Sequence, residues 1–286
     1  MISNNIKIPL TALLGGAAAL LLRIWNLRAG FETATGLPIP GHPSFPATVA
    51  ALALTLAVTL IFSRRLSDGG APRFPFPAVK RSFVTPIVAG AFALACAGLV
   101  DLYEAFSGEN LRSALTRPSL SYEYAFPNLI DGESVAFSPL AQGFAGLLTL
   151  VSAWAVFECA RACLRGNLRS RAMVMIPAVA LAFRLVALYR VDSVNPTLET
   201  YALVLMAFVF QTLGFYAFSA FAFDCGDLRQ FAAATGGAVC LTLCALLDEG
   251  DYLSTPLTLF GSAAALTGFL LLALDAPRVP VAAPKA

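Results

Sequence analysis

Charged side chains are scarce in this chain: 13% of its 286 residues are Asp, Glu, Lys or Arg, whereas 58% are hydrophobic. A soluble domain carries about 25% charged residues. With so little charge the chain cannot cover a globule with polar surface, so its outer surface has to meet the lipid bilayer. The net charge of +2 and the lack of a basic patch with interleaved aromatic residues exclude nucleic acid as a partner.

Catalytic motifs are also missing from the sequence. The single histidine, His42, lies in a loop rich in Pro and Gly, and no His–Glu pair has metal-ligand spacing. There is no Gly-x-Ser-x-Gly elbow and no P-loop, and the last two apolar segments contain no Lys for a retinal Schiff base. The sequence therefore predicts no cofactor and no metal, and it favours a protein that is not an enzyme without excluding one.

The six cysteines lie in or at the ends of apolar segments, which excludes a disulfide framework of extracellular loops. Cys159 and Cys163 are four residues apart, as are Cys240 and Cys244, so each pair shares a helix face. No histidine lies near either pair. Buried cysteines mostly behave as small apolar residues, and we interpret both pairs in that way.

Apolar stretches of about 20 residues, the length that crosses a bilayer, recur along the chain. The first resembles a signal peptide, but it ends in RIWNLR at 23–28, which is no cleavage site, so we interpret it as a retained span. The fold class is therefore an all-α, polytopic membrane helix bundle whose sixth and seventh helices form a hairpin. The eight predicted spans are 9–28, 44–63, 83–106, 138–162, 172–190, 199–223, 229–248 and 255–275.

Lys and Arg in short loops predict the orientation, because they are enriched on the cytoplasmic side. The second and fourth loops are strongly basic, whereas the third and seventh are acidic. With eight spans, both termini then lie in the cytoplasm, and the localisation is a cell membrane. The basic residues of the two loops are Arg64, Arg65, Arg73, Lys80, Arg81, Arg161, Arg165, Arg169 and Arg171.

Weak internal similarity predicts two parallel four-helix halves, 1–165 and 166–286. The first and fifth spans each carry an Arg near their end, and the third and seventh end in similar Cys-Ala…Asp segments. The fourth and eighth spans each open with a hydroxyl residue followed by Pro-Leu. Such halves would be related by a pseudo-two-fold axis along the membrane normal, as in some transporters. The alternative is chance similarity within a restricted apolar alphabet.

The charges within and beside the spans are the candidate site, because a charged side chain at the bilayer centre costs about 2.5–3.5 kcal/mol. In the predicted topology they share one depth near the outer surface. In one interpretation the arginines pair with the aspartates, or extend to the interface, and serve only the structure. In the other, they line an outward-facing pocket for a small polar or anionic ligand. The candidate ligand-binding residues are Arg23, Asp101, Glu104, Arg184, Arg190, Asp192, Glu199 and Asp248.

Three functional hypotheses follow. The leading one is a small-molecule binding or transport protein with its site between the two halves. The second is a membrane scaffold or accessory subunit, with the small residues 261–265 and Gly268 as a packing face for a membrane protein partner. The third is a membrane enzyme with carboxylates that converge at Asp101 or Asp248. Gln142 and Gln211 are further polar residues, expected to bond a neighbouring helix more often than to line a permeation path.

Overall fold

A computed structural model describes residues 4–32, 37–66, 72–77, 81–107, 139–192, 198–248 and 253–277. Within these ranges the secondary structure consists of helices and one isolated bridge between Phe31 and Pro38. Short 3-10 helices, Arg81–Phe83 and Arg171–Met175, precede the third and fifth α-helices. The α-helices are α1 Asn4–Ala29, α2 Ser44–Arg64, α3 Thr85–Ser107, α4 Pro139–Arg165, α5 Ile176–Asp192, α6 Leu198–Ala222, α7 Leu228–Ala245 and α8 Ser254–Asp275.

Eight helices of the described chain are long and apolar enough to cross a membrane, which confirms the predicted all-α bundle of about eight spans. The chain is therefore a multi-pass membrane protein. Four helix limits differ from the prediction by three residues or more: α1 begins at Asn4 rather than 9, α4 ends at Arg165 rather than 162, and α5 and α7 differ as follows. The fifth α-helix begins at Ile176 rather than 172, because Pro177 suits a first helical turn and the residues before it form a 3-10 turn. The seventh ends at Ala245, so Asp248 lies in the following turn.

The core of the bundle is formed by α7 and α8. Over an apolar stretch of 18 residues in each helix, 72% of the residues are buried in α7 and in α8, against 22% in α2 and 33% in α1 and α5. α7 packs against α1, α2, α6 and α8, and α8 packs against α3 as well. Contacts between the two predicted halves are therefore extensive. The four-helix repeat itself stays a prediction.

Small residues allow the closest helix approaches. A Cβ atom at Gly90 of α3 would lie 2.4 Å from the carbonyl oxygen of Gly261 in α8, and one at Gly98 would lie 2.8 Å from that of Gly146 in α4. The residues Gly261, Ser262, Ala263, Ala265 and Gly268 are buried within the chain. The small-residue run that the scaffold hypothesis assigned to a partner is thus used for internal packing.

The bundle has two ends of different character. The ends of α1, α3, α5 and α7 meet the starts of α2, α4 and α8 at the end that we call the ion-pair end, through the polar contacts described below. The opposite end, which we call the arginine end, carries Arg229, which donates to the carbonyl of Leu66 at 3.1 Å. There Asp224 lies 3.8 Å from Arg73 and 3.7 Å from Arg171.

Aromatic residues fill the bundle at the arginine end. The segment 72–77 inserts Phe76, which is fully buried, with its ring 5.4 Å from that of Phe221. Phe74 lies 5.2 Å from Phe218, which stacks on Phe269 of α8 at 4.2 Å. The buried phenylalanines of α6 therefore serve packing rather than lipid contact.

Candidate functional site

A buried ion pair joins the end of α1 to the turn after α7. Arg23 lies six residues before the last residue of α1, and its Nε donates to Asp248 Oδ1 at 2.7 Å. The two side chains are 1% and 2% exposed. Because both charges are removed from solvent, each depends on the other for compensation. The other carboxylate oxygen, Asp248 Oδ2, is buried without a hydrogen-bond partner among the described residues.

Burial and the ion pair shift the pKa of the Asp248 carboxyl in opposite directions. Burial raises the pKa of its carboxyl to about 6, although the nearby Arg23 guanidinium lowers it. Desolvation favours the neutral acid, and the cation favours the carboxylate. The raised pKa means that Asp248 takes up a proton more readily than an ordinary aspartate does.

A chain of hydrogen bonds continues from Arg23 towards the loop between α1 and α2. Arg23 Nη1 donates to Asn26 Oδ1, which lies one turn further along α1. Asn26 Nδ2 donates to Ser44 Oγ at 2.9 Å, at the first residue of α2. Ser44 Oγ lies 2.7 Å from Nδ1 of His42. The ion pair is thus connected through two buried polar residues to the single histidine of the chain.

A second buried ion pair joins α5 to α3. Arg184 Nη1 donates to Asp101 Oδ2 at 2.6 Å, and Nη2 reaches Ser254 Oγ at the start of α8. The two charged side chains are 5% and 4% exposed. Three helices are thereby fixed at one point. The Nε–H of Arg184 is buried and lacks an acceptor among the described residues.

Glu104 extends this polar region by one helical turn. It lies three residues after Asp101 on the same face of α3, and both are buried. Gln142 Nε2, near the start of α4, donates to Glu104 Oε2 at 2.6 Å. The region therefore contains two carboxylates and one guanidinium within a few residues of the helix ends.

A cavity of about 320 Å³ opens at the same end of the bundle. Its walls come from the end of α1, the connection to α2 and the first turn of α2, with Asn26 and His42 as polar members and Pro38, Ile39 and Phe45 among the apolar ones. It therefore lies within the first half of the chain, whereas the sequence led us to expect a cavity between the halves.

The predicted site residues have three outcomes. Arg23, Asp248, Arg184, Asp101 and Glu104 are brought to one end of the bundle, as two ion pairs and one Glu–Gln contact. Arg190 is exposed near the end of α5, unlike these buried groups. The side chains of Asp192 and Glu199 lie outside the described part of the chain.

Gln211 bonds neighbouring helices. Its Nε2 donates to Thr242 Oγ1 of α7 and to the carbonyl of Leu259 in α8, each at 2.8 Å. This is the expected role of a glutamine within a span. Within the described ranges, no group of three His, Cys, Asp or Glu side chains is arranged to hold a metal ion.

Sequence reasoning missed Asn26, Ser44 and Ser254 as parts of the site. A partial signal existed for Asn26, because a residue three positions after an arginine shares its helix face. Ser44 and Ser254 begin helices, where serine is common for local reasons, so their type gave no indication of a distant partner.

No protein-family model, curated protein or solved structure matches this chain in the three comparisons with known proteins.

Proposed function

We propose that this membrane protein binds or transports a small polar or anionic molecule at the ion-pair end. The observation that supports it most is the pair of unsatisfied charged groups: the Nε–H of Arg184 and Oδ2 of Asp248 are buried without partners among the described residues. Leaving such a group unmet costs about 1–3 kcal/mol or more. A bound molecule with an acceptor at Arg184, or with a donor at Asp248, would satisfy the group that it meets.

The roles follow from the donor and acceptor chemistry of the side chains. Arg184 has a planar fork of donors suited to a carboxylate or phosphate, and Asp101 already occupies part of it. A ligand bound at Arg184 would either displace Asp101 from the guanidinium or bind the donor that Asp101 leaves unused. Asp248 would accept a hydrogen bond from an amine or hydroxyl of the ligand.

The alternative is a membrane scaffold or accessory subunit without its own substrate. It is favoured by one observation: each buried arginine already has a carboxylate partner. The ion pairs would then only fix helix positions. The two functions are separated by an experiment that removes a whole pair, since loss of one partner alone costs about 3–5 kcal/mol and would confuse folding with binding.

The test uses the double variant Arg184→Gln/Asp101→Asn, with Arg190→Gln as an exposed control from the same helix. The thermal midpoint of purified protein in detergent is measured with lactate, inorganic phosphate or glycine. We expect at least one of these probes to stabilise wild type and Arg190→Gln, by about 2.7 kcal/mol at a hundredfold excess over Kd. The double variant should insert and fold but show no response. A wild type that ignores all three probes, or an equally responsive double variant, contradicts the proposal.

A further inference from the structure

The cavity beside His42 is a second polar feature, which a chain of hydrogen bonds connects to Arg23. The hydrogen bonds that lead to the cavity have a fixed direction, because they begin at Arg23 and an arginine side chain only donates. Arg23 therefore makes Asn26 Oδ1 the acceptor, and the amide nitrogen of Asn26 donates to Ser44 Oγ. The hydroxyl hydrogen of Ser44 is left to be donated onwards.

His42 Nδ1 is the recipient at the end of this chain. The hydroxyl of Ser44 lies 2.7 Å from Nδ1, and the backbone N–H of Ser44 also donates to it at 3.4 Å. A nitrogen that faces two donors has to carry a lone pair. These two donors favour the His42 tautomer that carries its proton on Nε2, and His42 is one of the residues that line the cavity.

The electrostatics of the cavity exclude a preference for charge. None of the described residues that line it is charged. Arg23, which lies behind Asn26, is compensated by Asp248. The first turn of α2 adds little anion affinity, because Pro43 and Pro46 lack N–H groups and the N–H of Ser44 is used by His42.

The remaining surface suits a flat apolar body. Prolines, Ile39 and Phe45 form the walls, and the ring of Trp25 lies 5.6 Å from that of His42. A volume of about 320 Å³ is at the lower end of ligand cavities, which range over about 300–1,000 Å³. We propose that this cavity binds a small, neutral ring compound bearing a carbonyl group, of the quinone or aryl ketone class, whose oxygen accepts a hydrogen bond from His42 Nε2.

Fluorescence of Trp25 tests this site directly. Trp154 is the other tryptophan of the chain, so Trp154→Phe leaves Trp25 as the only one. In lipid nanodiscs, 1,4-naphthoquinone should quench Trp25 in a saturable manner. His42→Leu, which keeps the bulk of the side chain but no donor, should raise the apparent Kd at least tenfold, or about 1.4 kcal/mol. Quenching that is linear in wild type, or that saturates equally in His42→Leu, overturns the proposal.

Two further experiments test the tautomer of His42 and the charge of the ligand. Ser44→Ala removes the hydroxyl that bonds Asn26 and His42, two residues of the cavity wall, so His42 Nδ1 loses its shorter contact. The affinity for naphthoquinone should fall while the protein remains folded by circular dichroism. Acetophenone should displace naphthoquinone and benzoate, of similar size, should not. Stronger competition by benzoate would identify an anion site instead. Arg184→Gln/Asp101→Asn should keep naphthoquinone binding, so this inference and the proposed function can fail separately.

Discussion

At Asp248, burial raises the pKa of the carboxyl and the Arg23 guanidinium lowers it. Its carboxylate has one oxygen on Arg23 and one without a partner among the described residues. When the pKa of a carboxyl is higher in the folded than in the unfolded protein, the folded protein binds more protons at pH values between the two pKa values. Stability then falls as the pH rises through this interval.

The expected result is a protein that is more stable at pH 5 than at pH 7.5. The pKa of Asp248 is raised to about 6 in the folded protein from an ordinary value near 3.8, so the stabilisation by protonation is present at low pH and lost as the pH passes 6. The thermal midpoint in detergent should differ by a few degrees, since 1 kcal/mol corresponds to roughly 2–4 °C. Asp248→Asn should lack this part of the pH dependence. An unchanged pH profile in Asp248→Asn would contradict the assignment.

At the scale of helices, the bundle depends on backbone contacts that only glycine permits. Gly90 and Gly261 allow α3 and α8 to approach so closely that a methyl group has no space. Gly143 in α4 offers a matched comparison, because the nearest atom to a Cβ there is the Ala105 methyl at 3.6 Å, an ordinary contact.

Gly90→Ala should therefore lower the thermal midpoint, and Gly143→Ala should not. Overpacking costs about 1–3 kcal/mol, and at Gly90 the obstacle is a backbone carbonyl that cannot rotate away. At Gly143 the alanine instead adds helix propensity of about 0.5–1 kcal/mol. Both variants are measured in the same detergent. Equal midpoints for Gly90→Ala and wild type would show that α3 and α8 are less closely packed than described.

Helix positions were predictable from the sequence and helix partners were not. Length and hydropathy of each apolar run place a span within a few residues, because the bilayer sets that length. The end of α7 was predicted at 248, since Leu246 and Leu247 continue the apolar run and hydropathy does not distinguish a helix from the turn that follows it. The insertion of Phe76 between helices was missed for a related reason: a Pro-rich loop is typical of the surface, and only tertiary packing buries it.

At the scale of the whole molecule, the sequence predicted the depth of the candidate site residues in the membrane, but it did not predict which arginine pairs with which aspartate. Arg23, Asp101, Arg184 and Asp248 were expected near one surface because each lies near the end of a helix that runs in the same direction. Which arginine meets which aspartate depends on the helices that are neighbours, and this is fixed by packing across the chain. The pairing that results, α1 with α7 and α5 with α3, maps onto itself under the predicted four-helix repeat.

The orientation of the bundle has a native reporter in Cys225. It is exposed in the turn between α6 and α7, next to Asp224 at the arginine end, whereas the other five cysteines are buried or half-buried. The positive-inside rule predicts that this end is cytoplasmic. A membrane-impermeant maleimide should therefore label Cys225 only after intact cells are permeabilised. In a Cys225→Ser background, Leu37→Cys, at an exposed position of the α1–α2 connection, should be labelled from outside without permeabilisation. The reverse pattern would place both termini outside and assign the ion-pair end to the cytoplasm.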